Sequence, residues 1–229
     1  MSSQSLCALL LLLLAAFLSL PDASSAGWFG DDSVEDQKAA LVQKLYKQSE
    51  GFVQTAQYTQ ALQDVTQALN LESKSIKGLM LRARVHILTG DCELAQQDLH
   101  AILEQQPHEE ATTELLKVTR CTQLITKGWN LLDSKQWEQA KHTLTQALDL
   151  APGANRLVFL RISCHAELKD WQAVLVDSDK FLQAEQVNPQ TNYRLEALIA
   201  RGGAFYHLGE LRNALMSVWR KLRRCACFW

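Results

Sequence analysis

Proline is scarce: four occur in 229 residues, and one of them, Pro152, stops a helical pattern, because its ring cannot continue the backbone ladder. Charge of either sign is also scarce in excess. Twenty-three Lys and Arg against 25 Asp and Glu leave a net charge of −2, so no global field favours nucleic acid or an acidic membrane. The six cysteines are too few and too scattered for a disulfide scaffold. Cys92 and Cys164 fall at packing positions and read as small buried hydrophobes. The histidines are His86, His100, His108, His142, His165 and His207, none at a metal-ligand spacing with Cys or carboxylate. Cys164 and His165 are adjacent and point different ways on a helix, and Cys225-x-Cys227 is a weak motif. The sequence holds no Gly-rich phosphate loop, no nucleophile elbow and no Asn-x-Ser/Thr acceptor. It offers no residues on which to rest an enzyme, a cofactor or a metal.

What is present is periodic. Cys121 to Ala154 holds two amphipathic helical patterns, 123–132 and 136–150, joined by the turn Asp133-Ser134-Lys135. Gly128, Ala140 and Ala147 sit where two backbones come close. Leu124, Leu131, Trp137 and Leu144 recur at helical spacing and fill the gap between the helices. Moved forward 34 residues, the small positions become Ile162, Val174 and Phe181, and Trp137 becomes Trp171. Moved back 45 they become Ala83, Ala95 and Ile102, with Pro152 falling on Pro107, and a further 34 back gives Ser49, Ala61 and Ala68. A step of 40 beyond the fourth copy gives Gly202, Ala214 and Lys221. A period near 34 with this pattern is the signature of the tetratricopeptide repeat, a helix–turn–helix unit that buries its apolar faces only by stacking on copies of itself. The fold class expected is all-α: a right-handed tetratricopeptide-repeat superhelix of about five repeats.

Taken in order, residues 1–26 read as a signal peptide. Leu6 to Leu20 is an apolar run of 15 residues, shorter than the roughly 20 that span a bilayer. The small residues Ala23-Ser24-Ser25-Ala26 follow it, although Met1 to Ser5 lacks Lys and Arg. An uncleaved anchor is the rival. Residues 27–41 are an acidic leader. Repeats 1 and 2 fill 42–109, a helical insertion bridging two sub-stacks fills 110–120, and repeats 3 and 4 fill 121–188. A second insertion at 189–194 precedes an incomplete repeat 5 at 195–222. The tail, 223–229, is atypical. The pattern is left after Trp219, as expected of a truncated product or altered reading end. The rival is a native basic–aromatic tail that touches a membrane or partner.

In such a stack the first helix of each repeat lines the concave groove, with its second, fifth, ninth and twelfth positions inward. The large apolar residues at these positions form the candidate client-binding groove: Tyr46, Met80, Ile87, Ile125, Trp129, Leu132, Phe159, Ile199 and Tyr206. Exposed apolar surface in a concavity marks an interaction site. A clamp for an acidic C-terminal tail would need Lys, Arg and Asn to hold a carboxylate. Only Lys77, Arg84 and Arg156 qualify, in the wrong arrangement.

The apolar leader before the repeats, the insertion Pro107 to Arg120 and the run Arg201-Gly202-Gly203-Ala204-Phe205-Tyr206-His207-Leu208-Gly209 together resemble the lumenal co-chaperone family in which tetratricopeptide repeats precede a J-domain, also known as inhibitors of the interferon-induced kinase. The resemblance covers roughly Lys38 to Trp219. It implies residence in the endoplasmic reticulum lumen and binding of unfolded polypeptide clients through the repeats. It also implies delivery to BiP through the J-domain. No His-Pro-Asp triplet occurs in this sequence, so any link to BiP is expected to be indirect. No nucleic-acid partner and no membrane span after signal cleavage are expected. The alternative is a non-catalytic scaffold that docks one specific protein through the same groove.

Overall fold

Small side chains at fixed places decide how these helices meet. The computed structural model describes residues 31–187 and 193–217. The segment 1–26 that reads as a signal peptide, the start of the leader, most of the second insertion and the tail at 223–229 lie outside the described residues. Residues up to Ala40 and residues from Leu41 onward form two compact units. The described part of the first is the start of helix α1 (Asp31–Gln54). There Lys38 pairs with Glu35 at 3.5 Å.

The second unit holds the rest of α1 and then α2 (Tyr58–Leu71), α3 (Ile76–Thr89), α4 (Cys92–Gln105), α5 (Glu109–Asp133), α6 (Trp137–Leu150), α7 (Asn155–Glu167), α8 (Trp171–Val187) and α9 (Arg194–His207). Residues 211–217 are helical again. Among the described residues there is no strand. Ser49, Ala61, Ala68, Ala83, Ala95, Ile102, Ala140, Ala147, Ile162, Val174 and Phe181 are all fully buried. Gly128 and Gly202 are buried with them. Ser49 is the one hydroxyl in that set, and it donates to the Ala61 carbonyl at 2.9 Å, so its burial leaves no unpaired donor. Val42, Val65, Leu99, Leu144 and Phe181 fill the spaces between helices, and each contributes about 1.5–3 kcal/mol of hydrophobic stabilisation. Consecutive helices pack antiparallel. Beyond that, α3 touches α5, and α7 touches α9, so the first helices of successive repeats share one face.

The turns repeat as faithfully as the core. Between the two helices of each repeat one residue takes a left-handed conformation: Ala56 (φ 55°), Gly90 (82°), Lys135 (55°), Lys169 (60°) and Gly209 (81°). These positions are separated by the same steps of 34, 45, 34 and 40 as the small residues. Only two are glycine, although a Cβ makes this conformation unfavourable. The packed helices on either side over-determine the turn.

Helix α5 is 25 residues long, where the first helices of repeats 2, 4 and 5 have 13 or 14. The insertion at 110–120 is its first half. Its start is capped by His108, whose Nδ1 accepts from the Ala111 amide at 3.2 Å, with Glu109 and Glu110 in the first turn. Eleven extra residues are about three helical turns and about 16 Å of rise. Because that is close to a whole number of turns, the buried face continues in phase while repeats 3 and 4 are raised along the helix axis. The loop after α6 thereby lands on the turns of repeats 1 and 2. The Gly153 amide donates to the Leu88 carbonyl at 2.9 Å, and a Cβ on Gly153 would stand 2.2 Å from the Tyr58 ring.

Two buried ion pairs recur at the same interval. Arg82 grips Asp98 through Nε (2.8 Å) and Nη2 (2.5 Å). Arg161 grips Asp177 through Nε (2.7 Å) and Nη2 (2.9 Å). Asp98 and Asp177 are buried, and bidentate geometry lets the guanidinium satisfy both carboxylate oxygens. His165 lies beside the second pair, with Nε2 3.6 Å from Asp177 and Nδ1 3.5 Å from Asp170. Loss of solvation holds the His165 pKa below its ordinary 6.5, against the pull of Asp177 and Asp170 and with help from Lys141 and Arg161.

Gly128→Leu is expected to cost about 1–3 kcal/mol through overpacking, since even a Cβ there meets Leu144 Cδ2 at 3.1 Å; urea unfolding followed by circular dichroism checks this, and an unchanged midpoint would overturn the register. Gly153→Val should lift the loop off Tyr58, read as faster exchange of the amide at position 153 with little change inside α7 and α8. Because the folded-state pKa of His165 is lowered, the unfolded chain binds the extra proton first. Its stability contribution is therefore complete above pH 6.5 and falls as pH drops through that value. Urea midpoints between pH 7.5 and 5.5 should decline, and His165→Gln should flatten the decline.

Candidate binding cleft

The first helices of repeats 1 and 2, together with the first half of α5, enclose a cleft of about 420 Å³. Val53 of α1, Leu81, Ile87 and Leu88 of α3, and Leu150 at the end of α6 supply its apolar lining. Glu50, Gln54, Arg84, Glu114 and Lys117 make its polar rim. Leu150 reaches it because the raised third repeat ends there. The charges on and around the rim are mutually paired: Lys77 with Glu50 at 3.6 Å, Lys117 with Glu114 at 2.9 Å, and Arg84 with Glu110. A carboxylate ligand would have to break one of these pairs, whereas an apolar segment would not. The cleft therefore favours apolar chain, with polar groups at its mouth to meet a backbone.

The nine residues expected in one groove do not meet in one place. Ile87 lines this cleft. Tyr46 and Met80 are a correction: they are 1% and 5% exposed and belong to the core. Tyr46 is drawn in because its hydroxyl lies over Gly78, where a Cβ would stand only 2.5 Å away, and burial pushes its pKa up. Ile87 is itself only 6% exposed, so it offers an edge and not a surface. Ile125 and Trp129 lie higher on α5. Ile125 lines a second cleft of about 420 Å³ with Thr122, Thr126 and Arg156, walled by residues 90–94. Arg156 sits over the Trp129 ring at 4.7 Å, a cation–π contact that holds the indole at the surface. Leu132 is half-buried against the core. Phe159 is half-buried and stacked on Tyr193 at 4.7 Å. Ile199 and Tyr206 are 52% and 63% exposed on α9. The three-turn step in α5 splits the inner face into two levels.

Six cleft residues stand outside the second, fifth, ninth and twelfth repeat positions: Leu81, Leu88, Glu114, Lys117, Gln54 and Leu150. Glu114 is legible in hindsight, because it stands eleven residues before Ile125 and so on the same face of one continuous helix. Leu150 carries no such local signal. Among the described residues, no group of three His, Cys, Asp or Glu could hold a metal ion, and no helix is long and apolar enough to cross a membrane.

Comparison with known proteins agrees with this geometry. The family model described as tetratricopeptide repeat matches residues 125–173. A tetratricopeptide repeat and J domain-containing co-chaperone, DNJ1 of Cryptococcus neoformans var. grubii, is 25% identical over 150 residues, which is 65% of this chain and 28% of that protein. The crystal structure of the P58(IPK) TPR domain superposes with a TM-score of 0.69 at 20% identity, covering 80% of this chain and 50% of that one. The chain thus spans less than a third of the first and half of the second. Its fold is the tetratricopeptide-repeat solenoid, and its sequence is similar to a co-chaperone's.

Proposed function

We propose that this tetratricopeptide-repeat chain holds unfolded or misfolded polypeptides of the endoplasmic reticulum lumen, without catalysis, by seating extended apolar segments in the cleft between α1, α3 and α5. The observation that carries this reading is the cleft itself: Val53, Leu81, Ile87, Leu88 and Leu150 below a rim whose charges are already paired. Apolar side chains of a client fill the lining, and paired rim charges impose little sequence preference. The likeness to a J-domain co-chaperone supports a place in client handling, and the apolar leader at 1–26 supports the secretory pathway.

The test is the rate at which a denatured, unrelated protein aggregates with and without the purified chain. Protection is expected, and Val53→Asp should weaken it about tenfold, since one buried charge in an apolar contact costs more than about 1.4 kcal/mol. Trp129→Ser should weaken it less, because that indole stands outside the cleft. A well-folded chain that gives no protection would sink the client-holding reading in favour of a scaffold with one dedicated partner.

A further inference from the structure

Two cysteines that look unrelated in sequence face each other in the fold. Cys92 opens α4 and Cys121 lies midway along α5. The two helices run antiparallel from the turn at 106–108, and the cysteines stand at almost equal distances from it, so they fall side by side. Both are buried, at 5% and 0% exposure, and their side chains are close enough that each shifts the other's titration. Their accessibility differs in a useful way. Cys92 lines the second cleft with Asp91, Thr122 and Arg156, whereas Cys121 lies behind it in the core. Cys164, the third cysteine among the described residues, is also buried.

We propose that Cys92 and Cys121 form a reversible disulfide that staples α4 to α5 at the level where the raised repeats begin, with Cys92 as the attacking thiol and Cys121 as the resolving one. A small disulfide enters the cleft. The Cys92 thiolate attacks one of its sulfurs, and one thiolate leaves and takes up a proton. Cys121 then gives up its proton and attacks the Cys92 sulfur, which expels the second small thiol. Two protein thiols and one small disulfide become one protein disulfide and two small thiols. The order follows from the site. The Cys121 side chain, with a smaller contribution from Thr122, lowers the Cys92 pKa to about 7 against burial and the Asp91 charge. The adjacent Cys92 and, after it, burial hold Cys121 protonated until the mixed disulfide forms. Burial, with a smaller push from the Glu138 charge, raises the Cys164 pKa to about 11 and leaves that thiol unreactive. In the cell the staple needs an oxidising compartment and so rests on the secretory reading; in the test tube it does not.

The experiment equilibrates the purified full chain with oxidised glutathione, blocks remaining thiols with iodoacetamide, and maps cross-links by non-reducing proteolysis and mass spectrometry. A peptide joining Cys92 to Cys121, and a thermal midpoint raised by roughly 5 °C over the reduced chain, are expected. Cys121→Ser should stop at a glutathione adduct on Cys92, and Cys92→Ser should leave Cys121 free for alkylation only after unfolding. Both cysteines carrying iodoacetamide label after equilibration, or Cys92 joined to any other cysteine, would overturn the proposal. Because the wild-type map is decisive, a variant that fails to fold does not blunt the test. Loss of client holding with the cross-link intact would sink the proposed function and leave the staple standing.

Discussion

The length of α5 is the constraint on which the rest of this structure depends. Its 25 residues belong to two repeats at once. The first half closes the face of repeats 1 and 2 with Glu110, Glu114 and Lys117, and the second half carries Ile125, Gly128 and Trp129 into repeats 3 and 4. Three whole turns keep the buried stripe in phase, so Ala111, Val118, Cys121 and Gly128 all point into the core. A shorter or longer insertion that was not near a multiple of 3.6 residues would have rotated the second half and exposed part of that stripe. The step follows from the same geometry, and so do the seat of Gly153 against Leu88 and the closed end of the cleft at Leu150.

The polar interior serves the same end. Arg82–Asp98 and Arg161–Asp177 each tie the two helices of one repeat together, in repeats 2 and 4, and lie 79 residues apart, which is two repeat steps. The equivalent places in repeat 3 hold Lys127 and Thr143, so repeat 3 relies on apolar contact and on its neighbours. Buried ion pairs add little net stability when complete and cost several kcal/mol when broken. They therefore select one alignment of the two helices over others of similar apolar burial. That kind of specificity matters in a stack whose small residues would tolerate more than one sliding register.

The inner face is a compromise between core and binding surface. Tyr46 and Met80 occupy positions that in a regular stack would face a ligand, yet Gly78 leaves room for the Tyr46 ring and the core takes it. What remains open is smaller and less apolar than nine large side chains would make it. Its charges are held in pairs, which keeps the cleft mouth wet without giving it a net preference for acid or base.

Much of the architecture was legible along the chain. The steps of 34, 45, 34 and 40 place every small residue from Ser49 to Gly202 in the interior, and the same steps place the left-handed turn residues. Local spacing carries this information, because a helix converts sequence separation directly into direction and rise. The site was legible only in part. Ile87 was named for the cleft, but Leu81, Leu88 and Leu150 were not, and Cys92 and Cys121 gave no sign that they meet. Those facts depend on which helix ends share a level, and that level is set by the three-turn step in α5 acting across the stack. The sequence by itself determined the repeat, its register and its turns, since each is a matter of neighbours within one helical hairpin. Only the tertiary structure decided which apolar residues stay open, what closes the cleft and which cysteines come near one another, since each of these joins residues that no local period relates.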